Sequence, residues 1–599
     1  MPEEVIPPGK IKCFITGKLR KDTSEERIRQ DVVRSLVEEY GYNKSDIDVE
    51  FPIKMGRAKK RADIVIFSED GEHTQENIYI IAEVKTEDVK PSDRKEGVGQ
   101  LGSYVAASPN SAFALWVGNE RLAFTVVEER GKRVLTRIPD VPKRRETTIP
   151  KPTSGRLVPA VNLKQVFKRV HNYIYVNQGF QKDKAFEELQ KLIFIKVYDE
   201  QYDPTLQFYI LPGEDISKVR NRLTKVFQKV QERYKYIFKG NETLELNDSV
   251  LSYIVSELQR FSFVDTETDV KGEAYEEVVG PNLRGDRGEF FTARNVCSMA
   301  IEMLFSLFPE EKLTSPGALK ILDPAVGTGG FLIAGVQKIK QMFLKRGFRY
   351  DQLRDLVRDV VNTNFYGIEF NPFLVKVSQM NMVMHGDGSS NIVHANSLEK
   401  LSNWNDEAKR KVHLEEFDIV VTNPPFGTKA VIDNPDILSQ FELTTFKVGS
   451  PRTALPPEQL FIERCLDFLK PGGILGIVLP DSILSNPGLI WIREWILKKT
   501  YIIASVDLPV ETFEPHTGTQ TSILILKKKT SEQEKLKEDY DIFMAIPEKV
   551  GHDRRGNPVF KTTPEGEIEL AANGQPAIDD HIPLVAEMFK EWIRRKGMV

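Results

Sequence analysis

Residues 319–322 form an apolar run of the length of one buried strand, and it opens directly into Asp323-Pro324-Ala325-Val326-Gly327-Thr328-Gly329-Gly330-Phe331. Residues 331–339 then read as the start of a helix. A glycine-rich turn between a buried strand and a helix is common to Rossmann-like domains, and taken alone it reads equally well as only a tight turn. Its place at the end of a strand is where open α/β sheets bind nucleotide-like ligands. Gly327, Gly329 and Gly330 let the backbone turn tightly and approach a ligand more closely than a Cβ would allow.

A second buried run, residues 417–421, leads into Asn423-Pro424-Pro425-Phe426. Two consecutive prolines lack backbone donors and fix φ, so this loop is stiff. It presents the Asn423 amide and the Pro424 carbonyl as acceptors beside an aromatic face. That set suits an exocyclic amine, with two acceptors for its N–H groups and a ring to stack on the base. The order of the two loops resembles that of the N6-adenine DNA methyltransferases. The resemblance implies a Rossmann-like catalytic domain, S-adenosylmethionine as cofactor and double-stranded DNA as partner. It implies that Asn423, Pro424, Pro425 and Phe426 are catalytic, and that Asp323, Gly327, Thr328, Gly329, Gly330 and Phe331 line the cofactor.

More of this region carries the same resemblance. The segment Gly288-Glu289-Phe290-Phe291-Thr292-Ala293-Arg294 is similar to the family's Gly-x-Phe-Phe-Thr-Pro-Arg cap over the cofactor, with Ala293 where proline is usual. Residues 365–370 are a short strand carrying Glu369 at its end, placed to accept ribose hydroxyls. An insert over 344–364 lengthens the spacing to that strand. Residues 391–397 read as the third strand, with Asn396 where relatives often carry an aspartate near the cofactor adenine. The polar, turn-rich stretch 427–457 is long for a connection, and such loops are often lids. An amphipathic helix over 458–469, strands over 474–479 and 521–526, and a mixed-charge loop over 527–539 follow.

At 599 residues the chain suggests three or four domains, and its formal net charge of −4 places any nucleic-acid site in local clusters. Cys13, Cys297 and Cys465 show no disulfide or metal spacing, which suits a reducing cytoplasm. No apolar run is long enough for a membrane span, and the start lacks the pattern of a signal peptide. A soluble, cytoplasmic protein is expected.

Near the amino terminus, Thr23 and Glu26 form a capping box before a helix carrying Ile28, Val32, Val33, Leu36, Val37 and Tyr40, which Gly41 ends. Strands over 62–67 and 78–84 follow; Asp63 opens the first, and Glu83 and Lys85 share a face of the second. Gln100 and Tyr104 lie one helical turn apart. Two carboxylates and a lysine on one sheet face can hold Mg²⁺ and steady a phosphate. The pattern resembles the PD-(D/E)xK nucleases, and more narrowly the amino-terminal domain of type I restriction (R) subunits. It implies Asp63 and Glu83 as metal ligands, with Lys85 and Gln100 completing the nuclease site. No Gly-Lys-Ser/Thr loop of a translocating motor occurs in the chain.

Pro139, Pro142, Pro150, Pro152 and Pro159, interspersed with Lys143, Arg144, Arg145 and Lys151, read as an extended linker. From Leu163 the pattern is helical, with one long helix through Phe186, Leu189, Leu192, Ile193 and Val197 and a basic one over 219–236. Residues 183–189 resemble the helical amino-terminal domain of type I modification subunits.

The expected architecture is thus a multidomain α/β protein. A PD-(D/E)xK-like domain spans 1–138, a linker 139–160, a helical domain 161–285, a Rossmann-like S-adenosylmethionine-dependent methyltransferase domain 286–550 and a carboxyl-terminal segment 551–599. The expected function is site-specific adenine methylation as the modification subunit of a type I-like restriction–modification system. A separate specificity (S) subunit and a restriction (R) subunit are the expected partners, because 551–599 leaves no room for a target-recognition domain. In its terminal helix Leu584, Met588, Phe589 and Trp592 would face a partner. The alternatives are a bifunctional polypeptide that also cleaves DNA with Mg²⁺ and, further off, a protein glutamine methyltransferase, which uses a similar Asn-Pro-Pro-aromatic loop.

Overall fold

The computed structural model describes residues 7, 9–56, 58–68, 71–86, 89–91, 93, 96–118, 121–129, 131–138, 140–144, 157–160, 163–203, 205–211, 214–238, 240–264, 266, 292–348, 350–385, 388–427, 431–514, 517–535, 539–564, 566–571 and 576–597. They fall into two compact units, Met1–Asn282 and Leu283–Val599.

In the first unit the Thr23 hydroxyl caps α1 (Ser24–Glu38), accepting the Glu26 N–H at 3.2 Å. The expected capping box is only half made, because the Glu26 carboxylate turns to Arg29 and Gln30. Six strands follow: β1 (Ile47–Met55), β2 (Ala58–Phe67), β3 (Ile78–Val84), β4 (Phe113–Val117), β5 (Arg121–Glu129) and β6 (Lys132–Ile138). They hydrogen-bond in chain order, antiparallel except for β3 with β4, where α2 (Val98–Ala107) makes the crossover. Ile64, Ile66, Ile80, Ala82 and Leu115 share a core with Val32, Val33 and Leu36 of α1. Asp63 does not open its strand: β2 starts at Ala58, and the basic run Lys59-Lys60-Arg61 hides that start from an apolar pattern.

This sheet domain extends past residue 138. The Tyr42 hydroxyl donates to the Pro142 carbonyl at 2.8 Å, the Arg144 N–H donates to the Tyr40 carbonyl at 3.0 Å, and the Tyr40 hydroxyl meets Asp140. The connection therefore starts beyond Arg144, not at Pro139. Proline content marks where regular structure breaks, not whether the chain is packed. Val158–Pro159, also expected in the linker, pairs in parallel with Phe261–Ser262. Between these lie α3 (Leu163–Gln178), α4 (Lys182–Tyr202), α5 (Ile216–Arg233) and α6 (Asp248–Leu258). Phe186, Leu189, Leu192 and Ile193 are buried, as their spacing predicts, but so is Lys196, paired with Glu200 at 3.0 Å.

The second unit is built on eight strands: β7 (Ile321–Asp323), β8 (Phe365–Glu369), β9 (Ile392–His394), β10 (Phe417–Thr422), β11 (Leu469–Pro480), β12 (Thr500–Asp507), β13 (Thr521–Lys528) and β14 (Phe543–Ala545). Their order across the sheet is β9-β8-β7-β10-β11-β13-β12-β14, and only β13 runs against its neighbours. Strand order reverses between β7 and β10, the switch point at which open α/β sheets leave a crevice. One face is covered by α7 (Arg294–Phe305), α8 (Gly330–Lys345) and α9 (Tyr350–Asn364), around a core including Leu304, Phe331, Val336, Val357 and Val361. α10 (Pro372–His385) follows β8, and α11 (Pro457–Phe468) packs in the core of the opposite face.

Several expectations need revision in this unit. The insert 344–364 is largely the packed helix α9. Residues 427–457 are no free lid: Ile437, Leu438, Phe441, Leu443 and Leu455 are buried, and Ile432 bridges Leu455. The helix α11 is not amphipathic in its surroundings but buried along nearly its whole length. The third strand is shorter than expected and leaves Asn396 beyond its end. The terminal helix α12 (Ile582–Lys596) turns Phe589 inward onto the core shared with α7, and Trp592 packs against the same core. Only Leu584 and Met588 of the expected partner face are exposed. Helical spacing tells which residues share a side; it does not tell what covers that side.

Candidate active site

β7 ends on Asp323, whose carboxylate accepts the Ala325 N–H at 3.1 Å and shapes the start of the turn. The group is 1% exposed, and burial pushes its carboxyl up to about 7. Gly327 and Gly329 stand at φ +54° and +90°, in the left-handed region that favours glycine. Gly330 opens α8, where an added Cβ would stand 3.1 Å from the Cys297 sulfur. Glu369 ends β8, and its two carboxylate oxygens accept the N–H groups of Gly327 at 3.0 Å and Asn371 at 2.8 Å. The acid expected at the ribose is thus in contact with the glycine loop. Phe331 lies in the core, 3% exposed, supporting the loop from behind.

Two residues that sequence reasoning missed fix the loop from outside. The Asn381 amide on α10 donates to the Thr328 carbonyl at 3.0 Å, and the Ser397 hydroxyl donates to the Pro324 carbonyl at 2.5 Å. Asn381 carried a signal, being an amide set among Met380, Met382 and Met384 on a buried helix. Asn396 is engaged locally: its side-chain oxygen accepts the Leu398 N–H at 3.1 Å, and its carbonyl accepts the Trp404 indole N–H at 2.9 Å.

β10 lies beside β7 in parallel, with Leu322 opposite Val420, so the two loops leave the same edge of the sheet. Asn423 follows the last residue of β10, and its side-chain N–H donates to the Thr292 hydroxyl at 3.0 Å. Its side-chain oxygen is buried and has no hydrogen-bond partner among the described residues. Leaving an amide oxygen so costs about 1–3 kcal/mol, and such exceptions call for a functional reason. Phe426 is 6% exposed and meets Phe513 edge-on, with ring centres 6.1 Å apart. Thr292 precedes α7, with Ala293 at its N-cap and Arg294 as its first residue. Glu289, Phe290 and Phe291 of the expected cap lie outside the described residues.

In the first unit the structure gathers Asp63, Glu83 and Lys85. The Lys85 ammonium stands 3.1 Å from Glu83 and 3.6 Å from Asp63, and Asp63 also accepts the Val84 N–H at 2.9 Å. Burial first, then the neighbouring Asp63 carboxylate, push the Glu83 carboxyl up to about 8 against the pull of Lys85. Gln100 is spent on Tyr104, donating to its hydroxyl at 2.7 Å. The residue that sequence reasoning missed here is Arg29 of α1, 2.7 Å from Asp63 and also paired with Glu26. Among the described residues no group of three or more carboxylates, histidines or cysteines is arranged to hold a metal ion.

Residues 266–561 match the family described as N-6 DNA Methylase. The chain carries an N-6 DNA methylase domain. Residues 24–142 match the Type I restriction enzyme R protein N terminus (HSDR_N). The methylase subunit of the type I restriction enzyme EcoEI of Escherichia coli is 24% identical over 405 residues, covering 61% of this chain and 75% of the relative. The EcoKI methylase subunit of Escherichia coli strain K12 is 23% identical over 375 residues, and there the chain spans 64% of the relative and 59% of itself. Among solved structures, the type I restriction–modification methyltransferase subunit of Streptococcus thermophilus is 17% identical with a TM-score of 0.47, covering 75% of this chain and 98% of that one.

The N-6 DNA methylase is an adenine DNA methyltransferase, with S-adenosylmethionine as methyl donor. The glycine loop has the open backbone and the neighbouring carboxylate that such a donor needs. Among the described residues nothing lies within 4 Å of a Cβ added at Gly327, and a carboxylate ends the neighbouring strand. Among the described residues no helix of the methylase is long and apolar enough to cross a membrane.

Proposed function

We propose that the methylase modifies adenine in double-stranded DNA as the modification subunit of a type I-like restriction–modification system, with Asn423, Pro424, Pro425 and Phe426 as its catalytic loop. The observation that carries the role of the loop is the unpartnered, buried Asn423 oxygen at the mouth of the switch point. An exocyclic amine has the N–H that this oxygen lacks. S-adenosylmethionine supplies a methyl group on a good leaving group. The adenine nitrogen is a poor nucleophile because its lone pair is delocalised into the ring. Accepting its two N–H groups at Asn423 and at the Pro424 carbonyl draws that nitrogen toward tetrahedral geometry and aims the lone pair. The Asn423 side-chain N–H is taken up by the Thr292 hydroxyl, which would leave its oxygen for the base. Alignment of this kind supplies roughly 7–11 kcal/mol of a barrier. Phe426 would stack on the base after it leaves the duplex, which costs a few kcal/mol.

Asp323, Gly327, Thr328, Gly329, Gly330, Glu369 and the cap residues Thr292, Ala293 and Arg294 would hold the donor, with Asn396 at the edge of its adenine. We assign the specificity and restriction subunits as partners on the strength of the relatives' description as methylase subunits of type I restriction enzymes. A cytoplasmic location suits a DNA substrate and three buried cysteines that form no disulfide among the described residues. The deciding experiment is Asn423→Ala, assayed for labelled-methyl transfer beside a cofactor titration. Transfer should vanish while S-adenosylmethionine affinity stays within a few-fold; wild-type turnover in the variant would refute the assignment.

A second activity is favoured by the meeting of Asp63, Glu83 and Lys85 on one sheet face. Mg²⁺ is commonly held by one or two carboxylates together with waters and substrate phosphates. Asp63 and Glu83 supply two, so the pair fits the ion if Arg29 yields its contact with Asp63. Lys85 would then steady the phosphate. Nicking of plasmid DNA with Mg²⁺ that disappears in Lys85→Ala supports a nuclease. Equal absence of nicking in both, in the fully assembled complex, rules it out.

A further inference from the structure

Residues 143–265 lie outside both family matches, and they contain a basic concave surface. It is an open groove of about 450 Å³ along α5, lined by Gln207, Lys218, Asn221, Arg222, Lys225, Val226 and Lys229. No carboxylate is among these lining residues. Lys218, Arg222, Lys225 and Lys229 recur at intervals of four, three and four, which puts them on one side of the helix. At 1.5 Å per residue the row is about 16 Å long.

The four cations differ in how free they are. Arg222 is fixed: it lies over the Tyr209 ring at 3.9 Å and donates to the Gln207 and Tyr209 carbonyls and to Glu214. It braces the groove and contributes charge. Lys229 is paired with Asp203 at 2.7 Å. Lys218 and Lys225 are exposed and form no ion pair among the described residues. Asp215, the acid that feels Lys218, spends its carboxylate on the Ser217 N–H at 2.9 Å. Exposed Asn221 lies between the two lysines and offers a neutral donor. Unpaired ammonium groups in a row, without an acidic competitor in the lining, fit a string of phosphates rather than a single small anion.

We infer that the α5 groove is a sequence-indifferent binding track for the sugar–phosphate backbone of duplex DNA, with Lys218 and Lys225 as its phosphate contacts. This rests on the reading of the protein as a DNA methyltransferase, and adds to it a second contact remote in sequence from the catalytic loop. A lysine that neutralises one phosphate contributes about 0.9 to the slope of log affinity against log salt. Removing two should lower the slope by about 1.8. Between about 50 and 200 mM salt, wild type should then lose about tenfold more affinity than the double variant.

The test is fluorescence anisotropy of the full chain with a labelled duplex across a salt series. Wild type is compared with Lys218→Ala/Lys225→Ala and with the charge-keeping Lys218→Arg/Lys225→Arg pair. The alanine pair should show the reduced slope and the arginine pair the wild-type slope, with equal melting temperatures because both sites are exposed. An unchanged slope in the alanine pair overturns the proposal. So does a reduced slope for RNA with duplex DNA unaffected, which would assign the groove to another polyanion. Labelled-methyl transfer by wild type assembled with its specificity subunit, in the same buffers, tests the methyltransferase reading separately. Transfer with an unchanged slope sinks only the groove, whereas no transfer to any DNA sinks the reading beneath it.

Discussion

Truncating Phe589 to alanine tests whether the terminal helix is part of the catalytic unit. Phe589 is 0% exposed and packs edge-on to Phe543 of β14, with ring centres 5.2 Å apart, and stacks on Trp592 at 5.9 Å. Around it lie Val585, Ile593 and the residues of α7 in one continuous core. Losing a buried phenyl ring costs about 3–5 kcal/mol, part from lost transfer energy and part from the cavity left behind. Polar ties run alongside: Lys590 pairs with Glu302, and Asn295 donates to Asp580 at 2.9 Å and to the Val550 carbonyl at 3.0 Å. Thr292, which bonds Asn423, immediately precedes the N-cap of α7. Phe589→Ala should therefore lower the melting temperature of the methyltransferase unit by about 6–10 °C, at roughly 2 °C per kcal/mol for a unit of this size. It should also speed hydrogen exchange in both α12 and α7. Met588→Ala, one residue away but 59% exposed, should stay within about 0.5 kcal/mol of wild type. Calorimetry on the two variants, with exchange resolved by peptide, decides the matter. A Phe589→Ala protein that melts with wild type, or loses protection in α12 alone, would show the helix to be an appendage.

Gly329→Ala forces a side chain into φ +90°, at a cost of about 1–2 kcal/mol, so S-adenosylmethionine should bind about tenfold more weakly by calorimetric titration; unchanged affinity would remove the glycine loop from the site. Asp323→Asn should change the pH dependence of stability. With its folded carboxyl raised to about 7, the native state holds a proton that the unfolded chain releases near pH 4, so wild type loses stability as pH rises from about 4 to 7. The variant should flatten that window in a denaturant series, and a slope identical to wild type would place the buried charge elsewhere.

The sequence by itself determined the chemistry and its order along the chain. A buried run into glycines, a buried run into Asn-Pro-Pro-Phe, and a strand ending in Glu369 are local facts, because glycine, proline and short apolar runs act on their own backbone. The same holds for Glu83 and Lys85, whose spacing of two follows the period of a strand, whereas Asp63 reaches them from the neighbouring strand. Tertiary structure alone decided what those residues touch. Glu369 bonds to Gly327, and Asn423 is turned by Thr292, 131 positions earlier in the chain. Asn381 holds the Thr328 carbonyl, and Arg29 crosses from α1 to Asp63, 34 positions away. It also reversed the reading of three segments. The stretch 427–457 is anchored by five buried apolar side chains, α11 is buried at every residue but Asp467, and Phe589 points into the core. Periodicity records which residues share a face. Whether that face meets solvent, a partner or the protein's own core depends on elements distant in the chain, and only folding brings those together.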